Sequence, residues 1–222
     1  MAGDAAYQGE DAQMSTEDAT VYIIDDEAEV RESLARLLAS AGYRATECAS
    51  AGEYLLCPAL AGAGCILLDV DMPGVTGPEL HELLRRRGTS IPIIYLTGRS
   101  SISIGVQAMK QGALDFLEKP VDESALLAAI DGALEEHRQM LRERGRNQEL
   151  AARLARLSAR EYEVMRHVVA GRLNKQIAGD LSIAEKTVKV HRGRVMAKMQ
   201  AKSLAELVHL CDELAAAGAY SH

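Results

Sequence analysis

The stretch "CILLDVDMPG", residues 65–74, carries an apolar run straight into Asp69, with a second acid at Asp71 and a Pro-Gly break behind it. Such a run reads as a buried strand that delivers a carboxylate to a loop. Three other short apolar runs also end in residues able to do chemistry: "TVYIID" runs into Asp25 and Asp26, "IPIIYLT" ends at Thr97 and Gly98, and "ALDFLEKP" ends at Lys119 and Pro120. In an open parallel sheet the reactive groups gather at the carboxyl ends of the strands, so these scattered positions form one expected constellation. Three carboxylates within about 4 Å of one another would repel by roughly 4 kcal/mol per pair at an effective dielectric near 20, and they need a cation. Oxygen ligands in a small, partly hydrated site suit Mg²⁺. With the metal, Lys119 and the Thr97 hydroxyl set against the oxygens of a phosphoryl group in flight, Asp69 is positioned to attack phosphorus.

Amphipathic stretches such as "EAEVRESLARLLASAG" and "GPELHELLRRRG" separate the apolar runs. Strands alternating with helical periods indicate an α/β fold, a (βα)5 doubly wound parallel sheet over residues 20–134. Residues 1–19 hold five acids, no basic side chain and no apolar periodicity, and are expected to be a disordered acidic tail. Residues 135–157 are charged and helical in propensity, a linker interrupted at Gly145. Leu127, Ile130, Leu134, His137 and Leu141 recur at 3-4-3-4 spacing, a seam that suits either core packing or contacts between two copies.

Residues 158–217 read as a small all-α domain of four helices. Ser158 and Glu161 have the spacing of a capping box, with Leu157 placed to staple onto Tyr162 and Gly171 ending that helix. Asn174 is placed to cap a short second helix through Leu181, a third runs from about Glu185 to Met199, and Ser203 with Glu206 caps a fourth. Two short helices joined by the turn "SIA" have the proportions of a helix-turn-helix.

The composition, 48% hydrophobic and 26% charged with no Trp, is that of a globular protein with an aliphatic core. No apolar run reaches the roughly 18 to 20 residues that span a bilayer, and no signal peptide is visible, so a cytoplasmic protein without membrane contact is expected. Cys48, Cys57, Cys65 and Cys211 are scattered without C-x-x-C spacing and read as reduced, structural thiols. Charge is unevenly spread: residues 1–134 carry 9 Lys/Arg against 21 Asp/Glu, a balance of −12, whereas residues 172–202 carry 8 against 2, a balance of +6. The basic stripe points to a polyanion.

On a helical wheel from Glu185, Val188, Val195 and Met199 share one face. Lys186, Val190, Gly193 and Ala197 fall opposite, flanked by Lys189 and Arg194, a basic rim around small residues that fits a major groove. Arg192 lies nearer the core side and has to snorkel outward to meet a phosphate, and Lys198 adds to the basic set. Lys175, Arg172 and Lys202 are placed for backbone contacts. Gly193 costs roughly 1 kcal/mol relative to Ala inside a helix, which close approach to DNA would explain.

Two families use an aspartate as the phosphoryl acceptor in this way. "LLDVDMPG" also fits the D-x-D of the haloacid dehalogenase phosphatases, but those place the nucleophile on the first strand, whereas here the acid pair comes first and Asp69 sits on the third. Residues 20–134 therefore resemble the receiver domain of a two-component response regulator. The string from "LSAREYEVMRHVVAG" to "KSLAELVHL" resembles the LuxR-type helix-turn-helix, and the combination is similar to the NarL/FixJ class, closest in pattern to FixJ-like regulators. The resemblance implies that Asp69 is the phosphoacceptor and that Mg²⁺ is held by Asp25 and Asp26, directly or through water, by Asp69 and by the backbone carbonyl of Asp71. It further implies that Lys119 pairs with the phosphoryl oxygens, that Thr97 and Phe116 are the switch residues beside Gly98, and that the bond before Pro120 is cis. A sensor histidine kinase, duplex DNA, RNA polymerase and a phosphorylation-dependent homodimer are the implied partners, with dimerisation on the face containing "SSISIGVQAMKQGALDF". Asp71 and Arg99 occupy the positions that in receivers tune phosphoryl lifetime, which suits either a pair between them across the mouth of the site or two solvated side chains. Ala184 stands where the family has a capping Ser or Thr, and Val121 where related receivers often have Phe. A Mg²⁺-dependent aspartyl phosphatase, or a receiver with an RNA- or protein-binding output module, are the alternatives.

Overall fold

The computed structural model describes residues 19–58, 60, 62–98 and 114–220. The acidic tail up to residue 18, Arg99 with any pairing to Asp71, and most of the expected dimer face lie outside the described residues. Two compact units divide the chain, residues 1–141 and 142–222.

In the first unit β1 (Thr20–Ile24), β2 (Arg44–Cys48), β3 (Gly64–Asp69), β4 (Ile93–Thr97) and β5 (Asp115–Glu118) form one parallel sheet in the order β2-β1-β3-β4-β5. Alternate residues of each strand feed opposite faces, as the two-residue period of a strand requires. Val21, Ile23, Cys65, Leu67, Ile94 and Leu96 pack against α1 (Ala28–Ser40), through Leu34 and Leu38, and against Leu126, Ile130 and Leu134 of α4 (Glu123–Ala155). Tyr22, Ile24, Ile66, Leu68 and Tyr95 take the other face with Ala51 of α2 (Ala51–Leu56) and with Leu80 and Leu84 of α3 (Gly77–Arg86). Both faces are covered, which is why every residue of β3 is buried and its sequence is a continuous apolar run.

Register places the strand ends level with one another. β1 pairs with β3 from Thr20↔Gly64 to Ile24↔Leu68, so the next step sets Asp25 beside Asp69. Asp69 lies opposite Leu96, and Thr97 opposite Glu118, so Lys119 stands two residues beyond the acids and reaches back over them.

The 33-residue α4 runs unbroken through Gly145, where a break is expected from propensity alone. A helical Gly costs about 1 kcal/mol relative to Ala, and packing at both ends outweighs it. Ile130 and Leu134 are buried in the first unit's core, and Leu150 with Leu154 packs into the second unit's core. Of the expected seam, His137 is also buried, its Nδ1 accepting the Gly64 N–H at 2.9 Å, while Leu141 is exposed. Burial pushes the His137 imidazolium pKa down, in keeping with a neutral ring accepting that bond.

The second unit comprises α5 (Ala159–Val169), α6 (Asn174–Asp180), α7 (Glu185–Met199) and α8 (Leu204–Ala216) around Val164, Met165, Val168, Ile177, Val188, Val195, Met199, Leu207, Leu210 and Leu214. The Ser158–Glu161 capping box is present, Gly171 leaves α5 at φ +75°, and Ser203 accepts the Glu206 N–H. One cap differs from expectation. Leu173, not Asn174, occupies the N-cap of α6, and its N–H is satisfied by Oε1 of Gln176 at 2.9 Å. Asn174 is instead the first helical residue and turns its Oδ1 to Arg192 at 3.2 Å.

Candidate functional site

At the carboxyl edge of the sheet Lys119 binds two acids at once. Its Nζ donates to Oδ2 of Asp25 at 2.6 Å and to Oδ1 of Asp69 at 2.7 Å, with Glu27 Oε1 at 3.7 Å. Asp25 is fully buried and Asp69 is 6% exposed, so the shared ammonium offsets charge that water cannot reach. Burial raises the Asp69 pKa, and the hydrogen bond and charge of Lys119 act against that rise. For Lys119 burial favours loss of the proton, but the hydrogen bonds and charges of the two carboxylates prevail and its pKa is raised.

Local backbone fixes each member. The Lys119 N–H donates to the Thr97 carbonyl at 2.7 Å, joining the ends of β4 and β5, and the Lys119–Pro120 bond is cis. Oδ2 of Asp69 accepts the Asp71 N–H, and Oδ1 of Asp25 accepts the Glu27 N–H, both at 2.9 Å. Thr97 is buried, its hydroxyl donating to the Gly98 carbonyl at 3.1 Å. Phe116 lies opposite Tyr95 in the sheet and is partly buried against the core of that face.

The three-acid cluster expected from the strand ends is realised by two acids. Among the described residues no three acidic, imidazole or thiol groups stand close enough together to hold a metal ion. Asp26 is exposed, because consecutive side chains leaving a strand point to opposite sides and Asp25 takes the inward one. Asp25 and Asp69 nevertheless converge on a single cation, and Mg²⁺ needs only one or two carboxylates with carbonyl and water oxygens. The donor set fits that ion.

Two contributors were not visible from spacing. Arg31 on α1 donates from Nη1 to the carbonyls of Asp25 at 2.7 Å and Asp26 at 3.0 Å, fixing the acid-bearing turn. Gly77 at the start of α3 approaches so closely that a Cβ there would lie 2.3 Å from the Asp69 carbonyl oxygen. The Thr76–Glu79 capping box sets that approach, and "TGPE" was its available signal.

In the second unit Val188, Val195 and Met199 face the core, while Lys186, Lys189, Val190, Gly193, Arg194 and Ala197 are exposed together on α7. Ala184 provides no side-chain cap at its start. Lys175 is exposed and Arg172 pairs with Asp180 at 2.6 Å. Arg192 is partly buried and tied to Asn174, as its position on the wheel requires. Lys198 is set apart from the basic rim. Its Nζ donates to Oε2 of Glu161 at 2.6 Å and to the Arg156 carbonyl at 3.0 Å, and Glu161 is buried, so its carboxylate needs that cation. That hydrogen bond, with the Ser158 N–H, holds the Glu161 carboxyl down to about 2.

Known proteins share this combination. Residues 21–131 match the response regulator receiver domain family, and residues 155–211 match the bacterial regulatory proteins of the luxR family. The transcriptional regulatory protein FixJ of Azorhizobium caulinodans is 44% identical over 190 residues, 86% of this chain and 90% of its own. FixJ of Bradyrhizobium diazoefficiens is 43% identical over 192 residues, 86% of this chain and 93% of its own. A solved structure of the response regulator StyR superposes with a TM-score of 0.82 at 42% identity, covering 88% of this chain and 98% of that one. No helix among the described residues is long and apolar enough to cross a membrane. A receiver domain and a LuxR-type domain in one chain, with relatives of this kind along most of its length, show that it belongs to the FixJ-like response regulators, phosphorylation-dependent regulators of transcription.

Proposed function

We propose that Asp69 is the phosphoacceptor, that a sensor histidine kinase is the donor, and that the α7 surface reads duplex DNA once Asp69 is modified. The observation that carries this reading is the single ammonium shared by Asp25 and Asp69, 2.6 and 2.7 Å from Lys119 Nζ, at the strand edge. The Asp69 carboxylate attacks phosphorus, and the leaving imidazole of the kinase histidine departs on the opposite side. Lys119 exchanges its hydrogen bond from the carboxylate to a phosphoryl oxygen, and Thr97 turns its hydroxyl from the Gly98 carbonyl to another. Gly98 leaves the approach open. Asp25 and Asp69, with the Asp71 carbonyl and with Asp26 through water, would hold Mg²⁺, which when bound would neutralise charge on the transferring group. Movement of Thr97 draws Phe116 inward and alters the neighbouring surface, on which a homodimer forms.

In the output unit Lys186, Lys189, Val190, Gly193 and Arg194 enter the major groove, with Lys175 and Arg192 on phosphates. Lys198 takes the lesser part, being held by Glu161. A two-fold dimer favours pseudo-palindromic half-sites, and RNA polymerase is the downstream partner in a cytoplasmic setting. Treatment with acetyl phosphate and Mg²⁺ tests the chemistry: the intact mass gains one phosphoryl group in the wild type and none in Asp69→Asn. Equal labelling of both proteins would reject Asp69 as acceptor.

A further inference from the structure

Cys48 and Cys57 stand nine residues apart in sequence, yet their sulfurs lie 3.8 Å apart. Cys48 ends β2 and is buried, whereas Cys57 caps the carboxyl end of α2 and is partly exposed. Two features hold the first cysteine in place. It pairs with Ile24 across the sheet, and its carbonyl accepts the Asp25 N–H at 3.2 Å. The intervening turn is also clamped: Oε2 of Glu53 accepts the Ala49 N–H at 2.6 Å, and the Ser50 hydroxyl accepts the Glu53 N–H at 3.2 Å. Cys57 is the freer partner, since it ends a six-residue helix and already has extended backbone at φ −62° and ψ 146°. A disulfide requires the sulfurs to close to about 2.05 Å, and a shift of this size falls on the helix end and spares the strand.

We propose that Cys48 and Cys57 form a dithiol modification site that a hydroperoxide oxidises to an intramolecular disulfide. Cys57, the thiol that solvent reaches, attacks a peroxide oxygen as its thiolate. The O–O bond breaks, leaving a sulfenic acid on Cys57 and releasing water, or an alcohol from an alkyl hydroperoxide, once the leaving oxygen is protonated. The Cys48 sulfur then attacks the Cys57 sulfur, the S–O bond breaks, and a second molecule of water leaves with the Cys48 proton. Two thiols thus lose two electrons and two protons, and hydrogen peroxide becomes two waters. In a reducing compartment such a bond is transient, reversed by thiol exchange, which suits a redox-responsive site better than a structural staple. Cys65 and Cys211, both buried at 0% exposure, serve as internal controls.

The test is a hydrogen peroxide titration of the folded full-length chain, followed by denaturation and thiol counting. Free thiols fall from the four present in the sequence to two, the mass drops by two hydrogens, the chain remains uncrosslinked on a non-reducing gel, and dithiothreitol restores all four. Glutamate-specific cleavage after Glu47 and Glu53 leaves the two cysteines on separate peptides joined only through sulfur. Cys57→Ser abolishes the internal disulfide, and Cys65→Ser leaves it intact. Four surviving thiols at peroxide levels that oxidise a small-thiol control would overturn the proposal. A gain of oxygen without a disulfide would do the same, as would an unchanged two-thiol loss in Cys57→Ser.

Discussion

Replacing Lys119 by Met isolates the shared ammonium at the strand edge. Asp25 and Asp69, at 0% and 6% exposure, would then face each other without a cation. Removing one partner of a buried ion pair costs about 3–5 kcal/mol, because the remaining charge is uncompensated. Protonation of one acid limits that cost. Starting from an ordinary aspartate value of 3.8, holding Asp69 neutral at pH 7 requires about 4.4 kcal/mol, and at pH 5 only about 1.6 kcal/mol. The sign follows from linkage. Asp69 has a folded pKa above its unfolded value, so the folded state binds more protons in that interval and stability is lost as pH rises through it. Loss of Lys119 removes the interactions that oppose the rise and extends the interval upward. Amide hydrogen exchange of Ile23 and Leu67, neighbours in β1 and β3, reports the opening energy of the sheet in the full chain. The expected loss is about 3–4 kcal/mol at pH 7, shrinking to about 1–2 at pH 5. A loss below about 1 kcal/mol at pH 7, or one that grows on acidification, would refute the electrostatic argument.

Lys198→Gln should destabilise the second unit in thermal melts yet leave the salt dependence of DNA binding almost unchanged, whereas Lys189→Gln or Arg194→Gln should each reduce the log–log salt slope by about 1. Because the Glu161 carboxyl is held at about 2, its contribution is present above the unfolded value of 4.5 and is lost as pH falls towards 2; acid unfolding of Glu161→Gln should show less of this loss. Ala184→Ser supplies the missing cap on α7 and should gain about 1 kcal/mol, read from slower exchange of the Thr187 amide. Gly193→Ala adds a Cβ that meets nothing in the free protein, so it should stabilise α7 by about 1 kcal/mol while weakening DNA affinity in a binding titration.

The strands and their chemical ends were readable from sequence because strands buried on both faces are written as continuous apolar runs, and strand ends are where a parallel sheet exposes its groups. The limits of α7 were equally plain, with Val188, Val195 and Met199 marking its buried face. Distances across a strand, a turn and a helix were not encoded in spacing, which is why Cys48 and Cys57 looked unrelated. Gly77 gave no sign that its lack of a Cβ admits the Asp69 carbonyl, since contact between α3 and β3 is set by packing. Local propensity also misplaced two features. Gly145 suggested a break that packing at both ends of α4 overrides, and Asn174 suggested a cap at the position Leu173 takes, where no side chain caps the first turn and Gln176 accepts the Leu173 N–H. Lys198 belonged to the basic stripe by composition, and only the buried carboxylate of Glu161 shows where its charge is used.

The most direct measurement is the affinity of the full chain for its duplex half-sites, selected from random DNA, before and after acetyl phosphate treatment. Phosphorylated wild type should bind more tightly and as two copies per paired site, while Asp69→Asn, folded and with an unchanged basal affinity, should show no gain. An equal gain in Asp69→Asn, or none in fully phosphorylated wild type, would contradict the account.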